Sequence, residues 1–177
     1  FYMYQVSIDQ IAKEMGLTYL GPSNRTIRNV AFDSREISQG DLFVAIRGQR
    51  VDGHRFIEQA IQSGAAAVAV DAEHAFESDT TGCLIVDDGQ AFIQALGKWC
   101  RSQFQGPVVA ITGSQGKTST KDLLAQVCAR SHKVVVTKEN QNNELGMPLT
   151  LARLNEETEI LIVEMGMTGF GEIDFLC

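Results

Sequence analysis

The chain contains 177 residues, of which 44% are hydrophobic, and it carries a formal net charge of −7. This length and composition suit one or two small domains with buried cores, and the acidic balance excludes a basic arm for nonspecific nucleic-acid binding. No apolar run reaches the length of a membrane span, and the first residues lack the charged and apolar regions of a secretory signal, so we expect a cytoplasmic protein. The four cysteines are scattered without paired spacing, which indicates neither a disulfide framework nor a zinc site.

The first 106 residues show the pattern of a small α/β domain. Ser7 and Gly16 are typical of the first and last positions around a short helix. β-branched and aromatic residues between turn signals then predict short strands, and the later continuous apolar runs predict strands buried on both faces. The predicted strands are residues 17–20, 27–32, 42–46, 65–70 and 83–86, and the predicted helices are residues 7–16, 53–63 and 90–104.

Gly106-Pro107 ends the last of these helices, and we place a domain boundary between these two residues. Residues 107–177 then alternate strands with helices, which predicts the start of a parallel-sheet α/β domain. The predicted strands are residues 108–111, 134–137 and 159–163, and the predicted helices are residues 117–131 and 148–154. The longer helix carries an apolar stripe that we expect to be buried, formed by Leu123, Leu124, Val127 and Cys128.

The most informative segment lies between the strand at 108–111 and this longer helix. Gly113 and Gly116 allow a tight turn that directs backbone N–H groups at an anion, next to the positive end of a helix. Lys117 would reach the β- and γ-phosphates of a nucleoside triphosphate, and the Thr118 hydroxyl would coordinate Mg²⁺. The general phosphate-loop pattern has one more glycine, where this chain has Ile111, so the loop is a shorter variant. The predicted ATP-binding residues are Gly113, Ser114, Gln115, Gly116, Lys117, Thr118 and Ser119.

Two further segments of the second part are candidates for the same site. Glu164 follows an apolar strand, and ligand sites of open α/β sheets lie at the carboxyl ends of strands, so it is a second candidate Mg²⁺ ligand; the alternative is a solvated carboxylate. Asn142 and Asn143 belong to an asparagine-rich loop. Such a loop either forms Asx turns or offers uncharged donors and acceptors to a polar ligand beside the phosphates.

Short polar motifs recur in the first domain at strand ends and at a helix start. Taken singly, each is compatible with solvated surface charges, and His54 is equally compatible with a surface group and with a ligand. In order and spacing, however, these motifs and the phosphate loop resemble the Mur ligases of bacterial peptidoglycan synthesis. The resemblance rests on Asp33-Ser-Arg35, Gly40–Ala45, Gly48, Asp52-Gly-His54, Gly64-Ala65 and Thr112–Thr118.

The resemblance implies an ATP- and Mg²⁺-dependent ligase with three domains. Residues 1–106 would hold the UDP-sugar substrate, with Ser34 and Arg35 near its uridine diphosphate end, and residues 107–177 would begin the central ATPase domain. Asn142 or Asn143 would lie near the substrate and the phosphates, and Lys117 would be catalytic. The third domain would lie outside this chain, so we expect the chain alone to be inactive. We expect a monomer, without nucleic-acid or membrane partners.

Within the family, the asparagine-rich segment and Glu164-Met-Gly166 are similar to the members that join D-alanyl-D-alanine to UDP-N-acetylmuramoyl-tripeptide through an acyl phosphate. The sibling that adds the third amino acid typically has a Thr-Thr-Pro segment in place of the asparagines. Three alternatives remain open: this sibling activity, a different phosphate-loop enzyme such as a small kinase, and a non-catalytic module that binds a UDP-sugar. A kinase usually has its phosphate loop near the start of its chain, whereas here 106 residues precede the second part.

Overall fold

A computed structural model describes residues 7–48, 51–138 and 143–166 of the chain. The chain divides into two compact units, Phe1–Ile93 and Gln94–Cys177, called unit 1 and unit 2 below. The helix that precedes the predicted domain boundary runs through this division, so a boundary after residue 106 remains a prediction. Within the described ranges, no helix is long and apolar enough to cross a membrane.

Where the structure describes it, unit 1 forms a five-stranded sheet with two α-helices, the start of a third helix and three short 3₁₀ turns. The spatial order is β1-β5-β4-β3-β2; every neighbouring pair is parallel except β1 and β5, which are antiparallel. The elements are α1 (Ile8–Glu14), β1 (Thr18–Leu20), β2 (Val30–Ala31), β3 (Leu42–Val44), α2 (Ile57–Gln62), β4 (Ala67–Val70) and β5 (Gly82–Ile85). The 3₁₀ turns are Ser34–Glu36, Gly53–Phe56 and Ala72–His74.

The core of unit 1 lies along the central strands. Every residue of β3 and β4 is buried, as the continuous apolar run at 65–70 predicts for β4. The predicted strand at 27–32 is reduced to Val30–Ala31, and the predicted helix at 53–63 begins with the 3₁₀ turn Gly53–Phe56. Gly64, with φ of +98°, follows the end of α2 in a conformation that favours glycine. The 3₁₀ turns Ser34–Glu36 and Ala72–His74 follow the carboxyl ends of β2 and β4.

Unit 2 contains the segment with the glycine-rich loop. The three strands found in its described residues are parallel and have the order β6-β8-β7, so the strand that comes last in sequence among them lies between the other two. The elements are β6 (Val108–Ile111), α4 (Lys117–Cys128), β7 (Val134–Val136), α5 (Gly146–Leu151) and β8 (Ile160–Glu164), and they follow α3 (Gly89–Gln103), which spans the division between the units. The predicted α/β class and the parallel sheet are confirmed.

The orientation of α4 differs from the prediction. Leu123 and Val127, which we expected to be buried, are each 64% exposed, whereas Lys121 is 2% exposed. The helix turns the face with Lys121 towards the strands, because this lysine finds a polar partner there that satisfies its ammonium group. No described element of unit 2 covers the face with Leu123 and Val127.

Candidate functional site

The parallel sheet of unit 2 brings the ends of β6 and β8 side by side. Ile111, the last residue of β6, pairs with Glu164, the last residue of β8, and the N–H of Met165 donates to the Ile111 carbonyl at 3.0 Å. The glycine-rich loop leaves the sheet at this edge, directly after Ile111. A buried carboxylate and the start of the loop therefore lie next to each other, although they are 53 residues apart in the sequence (164 − 111).

The loop needs glycine at two positions. Gly113 has φ of +147° and Gly116 has φ of +75°, both values that residues with a side chain rarely adopt. Gly116 is the residue that precedes α4, and its carbonyl accepts the N–H of Thr120 at 2.9 Å, which closes the first turn of the helix. Helix α4 thus begins with its positive end at the loop, as expected for a phosphate-binding turn.

Lys117 is the cation of this loop. Its Nζ donates to the Gly113 carbonyl at 2.7 Å, so the side chain folds back along the loop backbone. A lysine held in this way places a positive charge close to the N–H groups of the loop. Phosphate oxygens are suitable ligands for such a combination of a point charge and backbone donors.

The donor set at this edge fits a hard divalent cation. Thr118 lies in the first turn of α4 and offers a hydroxyl oxygen, while Glu164, which is 2% exposed, offers a carboxylate at the end of the neighbouring strand. Oxygen ligands of these two kinds are those that Mg²⁺ takes in phosphate-transferring proteins, usually with waters and phosphate oxygens completing the shell. The two residues predicted for Mg²⁺ are therefore chemically suited to it.

A buried polar connection behind the loop was missed by the sequence analysis. The Lys121 Nζ donates to the Thr137 carbonyl at 2.9 Å, and the Thr137 hydroxyl accepts the N–H of Glu164 at 3.0 Å. Thr137 is 1% exposed. The connection joins α4, the residue that follows β7, and the end of β8, and it fixes Glu164 relative to the helix that carries Lys117. The only signal for it is a second lysine one helical turn after Lys117.

Of the two predicted asparagines, Asn142 lies outside the described residues. The Asn143 side-chain oxygen accepts the N–H groups of Leu145 at 3.2 Å and of Gly146 at 2.8 Å, which satisfies the first donors of α5. This is the Asx-turn alternative, in which the side chain organises its own loop. A role of either asparagine in substrate binding remains a prediction.

Ser34 and Arg35 lie in a 3₁₀ turn of unit 1. The Ser34 hydroxyl is buried and donates to the Gln59 side-chain oxygen at 2.9 Å, while Arg35 is exposed and forms an ion pair with Asp33. Hydrogen bonds from the Arg35 guanidinium lower the pKa of the Asp33 carboxyl. Arg35 is thus held at the surface by its ion pair, and its role at the uridine diphosphate end of the substrate remains a prediction.

Two family models match the chain, one before and one after the domain boundary predicted at residue 106. The catalytic domain of the Mur ligase family matches residues 26–100, and the Mur ligase middle domain matches residues 111–177, which include the loop and Glu164. The chain belongs to the Mur ligase family. The family resemblance predicted from the first-domain motifs and the phosphate loop is thereby confirmed.

Curated Mur ligases with high similarity carry the name UDP-N-acetylmuramoyl-tripeptide–D-alanyl-D-alanine ligase. The protein from Bacillus subtilis is 38% identical over 176 residues, which cover 98% of this chain and 38% of that protein. The protein from Synechocystis is 41% identical over 150 residues, 85% of this chain and 33% of its own length. This Mur ligase chain therefore spans less than two fifths of these relatives.

Solved Mur ligase structures show the same fold. A UDP-N-acetylmuramoylalanyl-D-glutamyl-2,6-diaminopimelate–D-alanyl-D-alanyl ligase from Acinetobacter baumannii matches 99% of this chain with a TM-score of 0.83 and 30% identity, and the match covers 40% of that protein. The MurF ligase from Thermotoga maritima, solved in complex with ADP, matches 84% of the chain with a TM-score of 0.67 and 35% identity, over 34% of its own length. The fold is thus that of Mur ligases.

Proposed function

We propose that the chain is part of an ATP-dependent ligase that joins D-alanyl-D-alanine to UDP-N-acetylmuramoyl-tripeptide in peptidoglycan precursor synthesis. The observation that carries the proposal is the edge of unit 2, where the glycine-rich loop with Lys117 lies beside the buried carboxylate of Glu164. The names of the similar Mur ligases support the choice of substrates, and the ADP complex of the Thermotoga protein supports a nucleotide at the loop.

In the proposed reaction, the carboxylate that ends the tripeptide attacks the γ-phosphate of ATP, which gives an acyl phosphate and ADP. The amine of D-alanyl-D-alanine then attacks the acyl carbon, so that an amide forms and phosphate leaves. The difficult step brings two anions together. Lys117 and the backbone N–H groups from Gly113 to Lys117 would stabilise the charge on the transferring phosphoryl group. When bound at Thr118 and Glu164, Mg²⁺ would neutralise charge on the phosphate oxygens.

Residues 1–106 would hold the UDP end of the substrate, with Ser34 and Arg35 as its contacts, and residues 107–177 would begin the ATP-binding domain. The nucleotide would contact the loop from Gly113 to Ser119. Asn142 and Asn143 would lie near the substrate and the phosphates. Each assignment extends the family resemblance to a residue of this chain, and each can be tested by substitution.

The proposal is tested with Lys117→Ala in the full-length protein. We expect the variant to lose ADP release that depends on D-alanyl-D-alanine by about 10²–10³-fold, the cost of removing one preorganised charge or donor at the reacting group. Binding of UDP-N-acetylmuramoyl-tripeptide should be retained. Lys13→Ala is the matched control, because Lys13 is an exposed lysine of α1. ADP release by Lys117→Ala at the control's rate would contradict the role of Lys117.

A further inference from the structure

Unit 1 contains a group of side chains that the proposed ligase reaction does not use. His54, Asp71 and His74, called the histidine cluster below, offer ligand atoms that all lie within 4.8 Å of one another. Asp71 and His74 belong to the turn that follows β4, and His54 belongs to the 3₁₀ turn before α2. The two imidazole rings stack with their centroids 4.3 Å apart and an angle of 25° between their planes. Two imidazoles and a carboxylate therefore share one small volume.

His54 is held in one orientation and in one tautomer. Its Nδ1 lies 2.6 Å from Asp52 Oδ1, which places a proton on Nδ1, and its Nε2 accepts the N–H of Asp71, which places a lone pair on Nε2. The side chain is only 4% exposed. A carboxylate on one ring nitrogen and a fixed lone pair on the other is the arrangement that orients metal-binding histidines in proteins. The N–H contact at 3.3 Å is long for a hydrogen bond, so this donor is a weak competitor for the lone pair.

The spacing around Asp71 suits a small cation. In this tautomer the His54 Nε2 lone pair lies 3.4 Å from Asp71 Oδ2, so two electron-rich atoms face each other. Ligand atoms around tetrahedral Zn²⁺ are about 3.3–3.4 Å apart when the bonds are about 2.0–2.1 Å long. The Nδ1 of His74 lies 2.7 Å from Asp71 Oδ1, and this side chain is 38% exposed, which leaves room for its ring to adjust. One cation could thus contact all three residues.

The surroundings of the histidine cluster are acidic. A cavity of about 320 Å³ beside it has four acidic residues in its described lining, Asp71, Glu73, Asp87 and Asp88, and one arginine, Arg47. Burial alone would raise the pKa of Asp71, but a hydrogen bond from His74 and the charges of the histidines and Arg47 outweigh it and lower this pKa to about 2. Arg47 contacts both Asp71 at 2.5 Å and Glu73 at 2.9 Å, so it would keep one acidic partner if Asp71 turned to a cation.

We propose that the histidine cluster binds one divalent cation of the zinc class, with His54 Nε2, an Asp71 carboxylate oxygen and a His74 ring nitrogen as ligands. The fourth position would face the cavity and would take water or another oxygen donor. Two imidazole ligands favour Zn²⁺ and similar ions over Mg²⁺. This site goes beyond the proposed ligase function, since it shares no residue with the Mg²⁺ site proposed at Thr118 and Glu164 and selects a different class of ion.

The test measures Zn²⁺ affinity of the EDTA-treated, dialysed chain by competition with a chromophoric chelator. We expect one site per chain. Asp52→Asn removes the carboxylate that hydrogen-bonds the ligating His54, and it should weaken Zn²⁺ binding by roughly 10–100-fold. His74→Ala and Asp71→Asn remove ligands themselves, and each should weaken Zn²⁺ binding by more than this. His74 is partly exposed, so its variant is expected to fold; its thermal melt in EDTA checks this.

Two control variants exclude other ligands. His132→Ala removes the third histidine of the chain, which lies in unit 2, and Cys128→Ser removes the most accessible described cysteine. Both should bind Zn²⁺ as the unchanged chain does, and Co²⁺ bound at the site should show no thiolate charge-transfer band. Absence of a one-to-one site, or affinity that is insensitive to His74→Ala, would overturn the proposal and leave the hydrogen bonds of His54 to Asp52 and Asp71 as the reason for the cluster.

Discussion

The two glycines of the phosphate loop allow a matched test of the loop geometry. An added Cβ meets nothing within 4 Å at Gly116 and only the Gln115 carbonyl at 3.8 Å at Gly113, so neither Gly→Ala change creates a steric clash. The positions differ in φ, which is +75° at Gly116 and +147° at Gly113. Any difference between the two variants therefore reports backbone strain.

Gly116→Ala should weaken nucleotide binding only slightly. The left-handed conformation costs alanine about 1–2 kcal/mol. In the free energy of folding, the lower entropy of the unfolded alanine variant offsets about 0.4–1 kcal/mol of this cost. Gly113→Ala should weaken nucleotide binding strongly, because φ of +147° lies far from the left-handed helical region. Backbone strain at the upper end of the usual range, about 3 kcal/mol, would force the loop into another shape. If binding requires the present shape, this strain weakens nucleotide affinity by roughly 100-fold, whereas Gly116→Ala weakens it by about 10-fold or less.

The assay is calorimetric titration of the full-length variants with ADP in the presence of Mg²⁺, together with their thermal unfolding. Gly116→Asn serves as a third variant, since asparagine tolerates the left-handed conformation better than alanine does and should bind closer to the unchanged protein. Equal loss of affinity in Gly113→Ala and Gly116→Ala, or a larger loss in the latter, would refute the reasoning from backbone angles.

Three further predictions concern stability and reactivity. In EDTA, Asp71→Asn should lower the free energy of unfolding by up to about 2 kcal/mol at pH 7 relative to the unchanged protein. Because the folded-state pKa of Asp71, about 2, lies below its unfolded value, this difference should fall to about half by pH 3. A difference that does not change with pH would contradict this prediction. Gly97→Ala should destabilise unit 2 by about 1–3 kcal/mol, because its Cβ would lie 2.7 Å from the Pro148 Cα; an unchanged melting temperature would show that the two helices separate without cost. Burial raises the pKa of Cys100 to about 12, so iodoacetamide at pH 8 should modify Cys128 before the buried Cys83 and Cys100 in the folded chain, and faster labelling of Cys100 would disprove its burial.

Much of the local structure follows from the sequence. The strand Val108–Ile111 and the start of α4 at Lys117 agree with the prediction because Pro107, Gly113 and Gly116 mark their ends. The position of Glu164 at the end of β8 was also predicted. These features depend on neighbours in the chain, where propensity and turn chemistry act directly.

Long-range features could not be predicted in the same way. The placement of β8 between β6 and β7 depends on pairing between distant segments, and this pairing brings Glu164 to Ile111. The burial of Lys121 depends on the Thr137 carbonyl, which no periodicity reveals. His54, expected at the surface or as a ligand, is 8% exposed because Asp52 and the turn after β4 enclose it.

The most direct test of the proposed ligase function is ADP release by the full-length protein with ATP, Mg²⁺ and UDP-N-acetylmuramoyl-tripeptide, while amines are offered one at a time. We expect release coupled to amide formation with D-alanyl-D-alanine, and none with single amino acids such as lysine or diaminopimelate. The matched reaction with UDP-N-acetylmuramoyl-dipeptide tests the sibling activity. Amide formation with that dipeptide substrate and a single amino acid, or ADP release that needs no amine, would contradict the proposed function.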